Sequence, residues 1–116
     1  MQAEFVQGSP LRLDHTPASD IAAGSIVVIG NHTAGAGRSI AANDKGALET
    51  GGGVYRVAVA TGASTAIADR ATLYWDAGNE VLTTDDNEGA NKQFGYADGA
   101  TVDADAFTKA VHQPAV

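Results

Sequence analysis

Residues that turn the chain recur so often here that no long helix fits between them. Gly8-Ser9-Pro10, Pro17, Gly24, "NHTAGAG", "NDKG", "GGG", "DAGN" and "DGATVDAD" follow one another at short intervals. Each supplies a positive-φ option, a fixed φ, or a side chain that hydrogen-bonds its own backbone. The intervening runs are short and β-like. "LRLDH" alternates Leu11 and Leu13 with Arg12 and Asp14, the period of a half-buried strand. "SIVVIG" is β-branched and too short for a helix, which predicts a buried strand. In "GGGVYRVAVA", Tyr55, Val57 and Val59 share one face and Arg56 and Ala58 the other. "AEFVQ" and "RSIAA" also read as strands, and "NHTAGAG" as a turn. "TGASTAIADR" allows one helical turn. "ATLYW" and "EVLTT" flank "DAGN" as a hairpin with a four-residue loop. "KQFGYA" is a strand whose Gly95 implies a bulge or a close backbone approach. "AFTKAVH" fits either a strand or, through Phe107 and Val111, a short helix. About nine short strands at this spacing predict an all-β barrel or sandwich.

Such a chain must fold with little bulky apolar material. Of its 116 residues, 23 are alanine, 14 are glycine, and Val, Ile, Leu and Phe together number 23. A buried Leu or Phe contributes about 1.5–3 kcal/mol, alanine far less, and each glycine adds backbone entropy that folding must overcome. One thin core follows, and association with other chains is a natural remedy. The length suits a single domain, taken as residues 11–116, preceded by an N-terminal arm at 1–10.

The charges narrow the partners. A net charge of −7 disfavours a nucleic-acid backbone. No apolar run approaches the ~20 residues of a membrane span, and "MQAEFVQGSP" has neither the basic nor the apolar region of a secretory signal. With no cysteine, disulfides and thiolate chemistry are excluded.

Candidate chemical motifs fail on spacing. "HTAGAGRS" has His32 where a phosphate loop needs its first glycine and Arg38 in place of its lysine, and no helix pattern follows. In "TTDDNEG", taking Gly89 as the sixth position of a calcium loop puts Gly95 where the bidentate carboxylate belongs. His15, His32 and His112 form no metal-binding pair and read as isolated surface or interface residues. No G-x-S-x-G elbow surrounds any serine. No catalytic residue, metal or cofactor is assigned.

Four of the seven aromatics fall between residues 73 and 97, in "LYWDAGNEVLTTDDNEGANKQFGYA". Adjacent strand residues face opposite ways. Trp75, in phase with Leu73, is expected inward, and Tyr74 toward solvent or a partner. Tyr55, Tyr74, Trp75, Phe94 and Tyr96 are the candidate core or subunit-interface aromatics. The arm residues Gln2, Glu4, Phe5, Val6 and Gln7 could add a strand to a partner's sheet, with Phe5 as anchor, or could form a frayed end.

The order of Tyr74-Trp75-Asp76, Leu82-Thr83-Thr84 and Phe94-Gly95-Tyr96-Ala97 resembles the hallmark region of the phage capsid cement, or head decoration, proteins. "DIAAGSIVVIGN", "GGGVYRVAVATG" and "AVHQP" resemble further strands of that family, so that the similarity runs from about residue 20 to 113. Asp69-Arg70 stands where the family often has a Gly-Asp turn, and "GAGRS" also departs from the pattern. The resemblance implies a small β-barrel or β-tulip-like module with no catalytic residue. It also implies a homotrimer on the outer surface of a double-stranded DNA phage head, made in the bacterial cytoplasm, that locks the major capsid protein against DNA pressure. The competing reading is a free-standing β-barrel module that binds a small ligand or carbohydrate.

Overall fold

The structure is a computed structural model that describes residues 3–8 and 11–114, and for Phe5 the main chain alone. Among the described residues, ten strands form two antiparallel sheets: β1 (Ala3–Gln7), β2 (Leu11–His15), β3 (Ile26–Ile29), β4 (His32–Gly35), β5 (Gly46–Gly51), β6 (Val54–Ala58), β7 (Thr72–Asp76), β8 (Val81–Thr83), β9 (Lys92–Ala97) and β10 (Phe107–His112). The larger sheet runs β1-β6-β10-β9-β7-β8 and the smaller β2-β5-β4-β3. The all-β expectation holds. The two sheets pack in a sandwich-like way, and the larger one coils without a closing ladder. A single bridge, Val59 to Leu82, brings β8 back to the chain just beyond β6.

The coil wraps the main core. Tyr55, Val57 and Val59 enter it from one face of β6 and its continuation, Leu73 and Trp75 from β7, Leu82 from β8, and Ala97 and Ala110 from a β9–β10 pair. Arg56 points out, as the period-2 pattern requires. The β7–β8 hairpin has four loop residues, 77–80. Asp76 caps it: its Oδ1 accepts the backbone N–H of Gly78 (3.1 Å), and its Oδ2 accepts from Asn79 Nδ2 (2.8 Å).

Of the two readings of "AFTKAVH", the strand is the one formed, while other segments depart from the sequence reading. Thr108, Ala110 and His112 are buried and Phe107 and Lys109 exposed, which is period 2 and not helical. His32–Gly35, read as a turn, is β4, because Val27–Ile29 and Glu49 supply ladders on its two sides. "RSIAA", read as a strand, is loop, with Ile40 touching strand geometry only at a bridge to Ile21. The segment Gly46–Gly51, to which the sequence reading gave no strand, is β5. "TGASTAIADR" forms no helix.

The β9 strand carries the irregularity that Gly95 implies. Leu73 pairs with Gly95 but Tyr74 pairs with Gln93, so Phe94 is an extra residue on β9. That bulge lets Phe94 and Ala97, three apart, both reach the core while Tyr96 turns outward.

Candidate docking surface

The smaller sheet meets the larger one through polar groups. Thr33 on β4 is fully buried, and its hydroxyl donates to the Gln93 carbonyl at 3.0 Å. His112 on β10 is also buried, with Nε2 3.0 Å from the Thr33 carbonyl oxygen and 3.1 Å from Thr33 Oγ1. A carbonyl only accepts, so Nε2 carries the proton of a neutral ring. Burial pushes the His112 pKa below its usual value, against the backbone hydrogen bond to Thr33, which raises it. Phe94 stacks on this imidazole at 4.7 Å, and Tyr55 meets both rings edge-on at 6.1 and 6.0 Å. The Tyr55 hydroxyl donates to buried Glu49 of β5. Burial first, and then this hydrogen bond, raise the phenol pKa. This cluster pins the two sheets together. His112 is therefore a buried structural residue, not the surface or interface histidine expected from sequence. His15 is half-buried and His32 exposed. Among the described residues no three His, Cys, Asp or Glu side chains group to hold a metal ion.

The candidate aromatics divide by face. Tyr55, Trp75 and Phe94 join in the core. Tyr74 and Tyr96 are half-buried on the outer side of the larger sheet, where the Arg70 guanidinium lies 5.8 Å from the Tyr96 ring. The same outer side carries a row of charges. Glu4 pairs with Arg56 (3.7 Å), Arg56 covers the Phe107 ring (3.7 Å), and Asp98 meets both Lys109 (3.8 Å) and Arg70 (3.9 Å). These contacts are solvated and add little stability singly; they give the face a fixed charge pattern.

The N-terminal segment is a strand on its own sheet. Glu4 pairs with Arg56 and Phe5 with Tyr55 in the β1–β6 ladder, which is bulged between Phe5 and Gln7. Ala3 is buried and donates to the Gly24 carbonyl at 2.8 Å. Glu4, Val6 and Gln7 are exposed. Gln2 and the Phe5 side chain lie outside the described residues.

The smaller sheet has an unexpected outer face. Leu11 and Leu13, expected to be half-buried by their alternation, are 62% and 57% exposed, and Ile29 of β3, on the side of Leu13, is 44% exposed; its neighbour Val28, 41% exposed, faces the other way, beside Thr33. One end of this face is closed by Ile21, Val27 and Ile40 over Ala34, Ala36 and Leu48. The other end is open. A groove of about 200 Å³ there is lined by Leu13, Ile29, Ala34 and Leu48 together with the polar Asp14, His15 and His32. A larger concavity of about 610 Å³ is lined by Arg12, Arg38, Asp44, Lys45 and Glu49 and contains no aromatic ring. That composition is unlike a site on which a sugar would stack.

Residues 6–113 match the family model described as phage cement protein. The chain belongs to that family. Membership gives it a capsid-associated structural role and a place in the virion. Comparison with curated proteins and with solved structures found no match. Among the described residues no helix is long and apolar enough to cross a membrane. Tyr74-Trp75-Asp76, Leu82-Thr83 and Phe94–Ala97, on which the resemblance rests, lie on β7, β8 and β9, strands that line the main core. Sequence reasoning missed the inter-sheet cluster of Thr33, Glu49 and His112. The period of "AFTKAVH", which puts Thr108, Ala110 and His112 on one face, was the available signal.

Proposed function

We propose that this family member acts as a homotrimer on the outer surface of a double-stranded DNA phage head, where it clamps neighbouring copies of the major capsid protein. The reading is non-enzymatic. Its strongest support is the aliphatic side chains left open on the smaller sheet. Leu11, Leu13 and Ile29 are large, apolar and 44–62% exposed, in a chain that has few such residues to spare. Clusters of this kind mark interaction surfaces. Docking gives them the burial the single chain does not.

The N-terminal segment offers a second contact. β1 is the edge of the six-stranded sheet, so its outer side can accept a strand from the capsid shell by main-chain hydrogen bonding. Gln2, Glu4, Phe5, Val6 and Gln7 are the proposed capsid-binding residues. Repetition over a lattice turns modest single contacts into firm retention. Tyr74 and Tyr96, outward on the larger sheet, are further candidates for the contact surface.

The test is co-sedimentation of the purified protein with expanded, empty heads of the phage that encodes it, followed by thermal challenge. Saturable binding and a higher disruption temperature of the heads are expected. Protein that stays in the supernatant at every concentration would refute the proposal.

A further inference from the structure

We propose that residues 11–51, the smaller sheet with its loops, swing as one body about a glycine pivot while the rest of the fold stays closed. The motion is independent of the trimer and of the capsid contact. Topology sets the pivot. The smaller sheet is a single insertion between β1 and β6, which pair with each other in the larger one. The chain enters the insertion after Gly8 and leaves it through Gly52 and Gly53, all three at positive φ (108°, 77° and 84°). The two crossings touch: a Cβ on Gly8 would lie 2.8 Å from the Gly53 Cα. A few residues at the ends of elements suffice to absorb a hinge motion. Main-chain bonds anchor this pivot to β10. The Gly52 N–H donates to the His112 carbonyl (2.8 Å), and the His112 N–H to the Gly53 carbonyl (3.0 Å).

Each body keeps its own core and its own charges. Ala34, Ala36, Ile40 and Leu48 pack with Ile21 and Val27, all inside the insertion. Among the described residues, the main core draws on the insertion for Ile26 alone. Among the same residues no ion pair crosses the boundary. Arg12 and Lys45 find their carboxylates inside the insertion, and Arg56, Arg70 and Lys109 find theirs outside it.

A polar latch joins the two bodies. The Thr33 hydroxyl donates to the Gln93 carbonyl, His112 Nε2 to the Thr33 carbonyl, the Tyr55 hydroxyl to Glu49, and the Ala3 N–H to the Gly24 carbonyl. A cleft of about 210 Å³ lies beside these bonds, with Ala3 and Tyr55 on one side and Gly24, Gly35 and Ala36 on the other. The seam is therefore not close-packed. On opening, water replaces the latch hydrogen bonds, and of the two cores only Ile26 is withdrawn. A boundary that few contacts cross is where parts of a fold move against each other. Leu11, Leu13 and Ile29 ride on the insertion, so the swing re-aims the open aliphatic face and leaves β6 to β10 in place.

The chain has no cysteine, so single introduced thiols report the motion. Thr33→Cys, Ala34→Cys and Val57→Cys replace residues that are each 0–2% exposed. The first lies at the latch, the second in the insertion's core and the third in the main core. Thr33 and Ala34 are neighbours on β4 and face opposite ways. Each variant, once circular dichroism shows the parent's fold, is labelled with a thiol reagent under native conditions. Ile26→Cys, the apolar seam position, takes the place of Thr33→Cys if that variant lacks the parent's spectrum. The seam thiol should react about 100-fold faster than either of the others, because parting the bodies costs less than unfolding a core. Tyr55→Phe, added to the seam variant, should speed labelling about tenfold by leaving Glu49 without its donor, and should leave the Ala34→Cys rate unchanged. If Ala34→Cys or Val57→Cys keeps pace with the seam thiol, the protein opens by unfolding and the pivot is overturned. A seam thiol indifferent to Tyr55→Phe overturns the latch.

Discussion

Gly95→Ala should be among the most damaging single substitutions in the molecule, although it adds only one methyl group. A Cβ at this position would sit 1.8 Å from the Val111 carbonyl oxygen and 2.8 Å from the Gln113 nitrogen, both main-chain atoms of the β10 segment. To reach even 3.0 Å from that oxygen, the strands must part by about 1.2 Å. The hydrogen bond from Gln113 N–H to the Phe94 carbonyl, 2.8 Å long, lies in the same place and would be lost or badly stretched. So would the stacking of Phe94 on His112 at 4.7 Å. Leaving a buried donor or acceptor unpaired costs about 1–3 kcal/mol, and overpacking about 1–3 kcal/mol more. The sum is about 2–6 kcal/mol. With an unfolding entropy of about 2.1 cal/mol/K per residue, a loss of 3 kcal/mol lowers Tm by roughly 12 °C in a chain of this length. Urea and thermal unfolding of parent and variant, followed by far-UV circular dichroism, measure it. A variant within 0.5 kcal/mol of the parent would refute the close approach of β9 to β10.

Three further outcomes are expected. Trp75→Ala, which empties a site only 3% exposed, should cost about 3–5 kcal/mol in denaturant unfolding; an unchanged midpoint would remove Trp75 from the core. His112 has a lowered pKa in the fold, so between its ordinary value near 6.5 and the lower folded value the unfolded chain binds more protons. Its contribution is thus complete above about pH 6.5 and declines as pH falls below that, by at most about 1.4 kcal/mol per unit. Urea titrations at pH 7.5 and 5.5 should show this slope in the parent and a smaller one in His112→Gln; equal slopes would contradict the assignment. Deletion of residues 1–7 strips β1 and buried Ala3 from the larger sheet, so it should lower Tm as well as abolish sedimentation with heads, and undiminished retention would dismiss the β1 edge as a capsid contact.

What could be read in the sequence depended on whether the signal was local. The β6 strand was legible because Tyr55, Val57 and Val59 alternate cleanly with Arg56. The β7–β8 hairpin was legible because "DAGN" carries its own turn chemistry in Asp76 and Asn79. Gly95 announced the bulge, since no other residue fits beneath the Val111 carbonyl. β4 and β5 were illegible because their strand character comes from partners. "HTAG" carries no apolar side chain larger than alanine, and Glu49 is buried only because Tyr55 and the two sheets enclose it. Leu11 and Leu13 taught a different lesson. Their alternation marks one apolar face on β2, but alternation does not say that the chain itself covers that face. The sheet leaves it open, and this is the feature that points outward to assembly.

The account rests on capsid binding through surfaces the lone chain leaves uncovered, so the stoichiometry on heads is its most direct test. Expanded heads saturated with the protein, washed and quantified by mass, should carry three copies per three-fold and quasi-three-fold position, and Leu13→Asp should reduce that occupancy sharply. Full occupancy by the Leu13→Asp protein, or no retention of the parent, would contradict it.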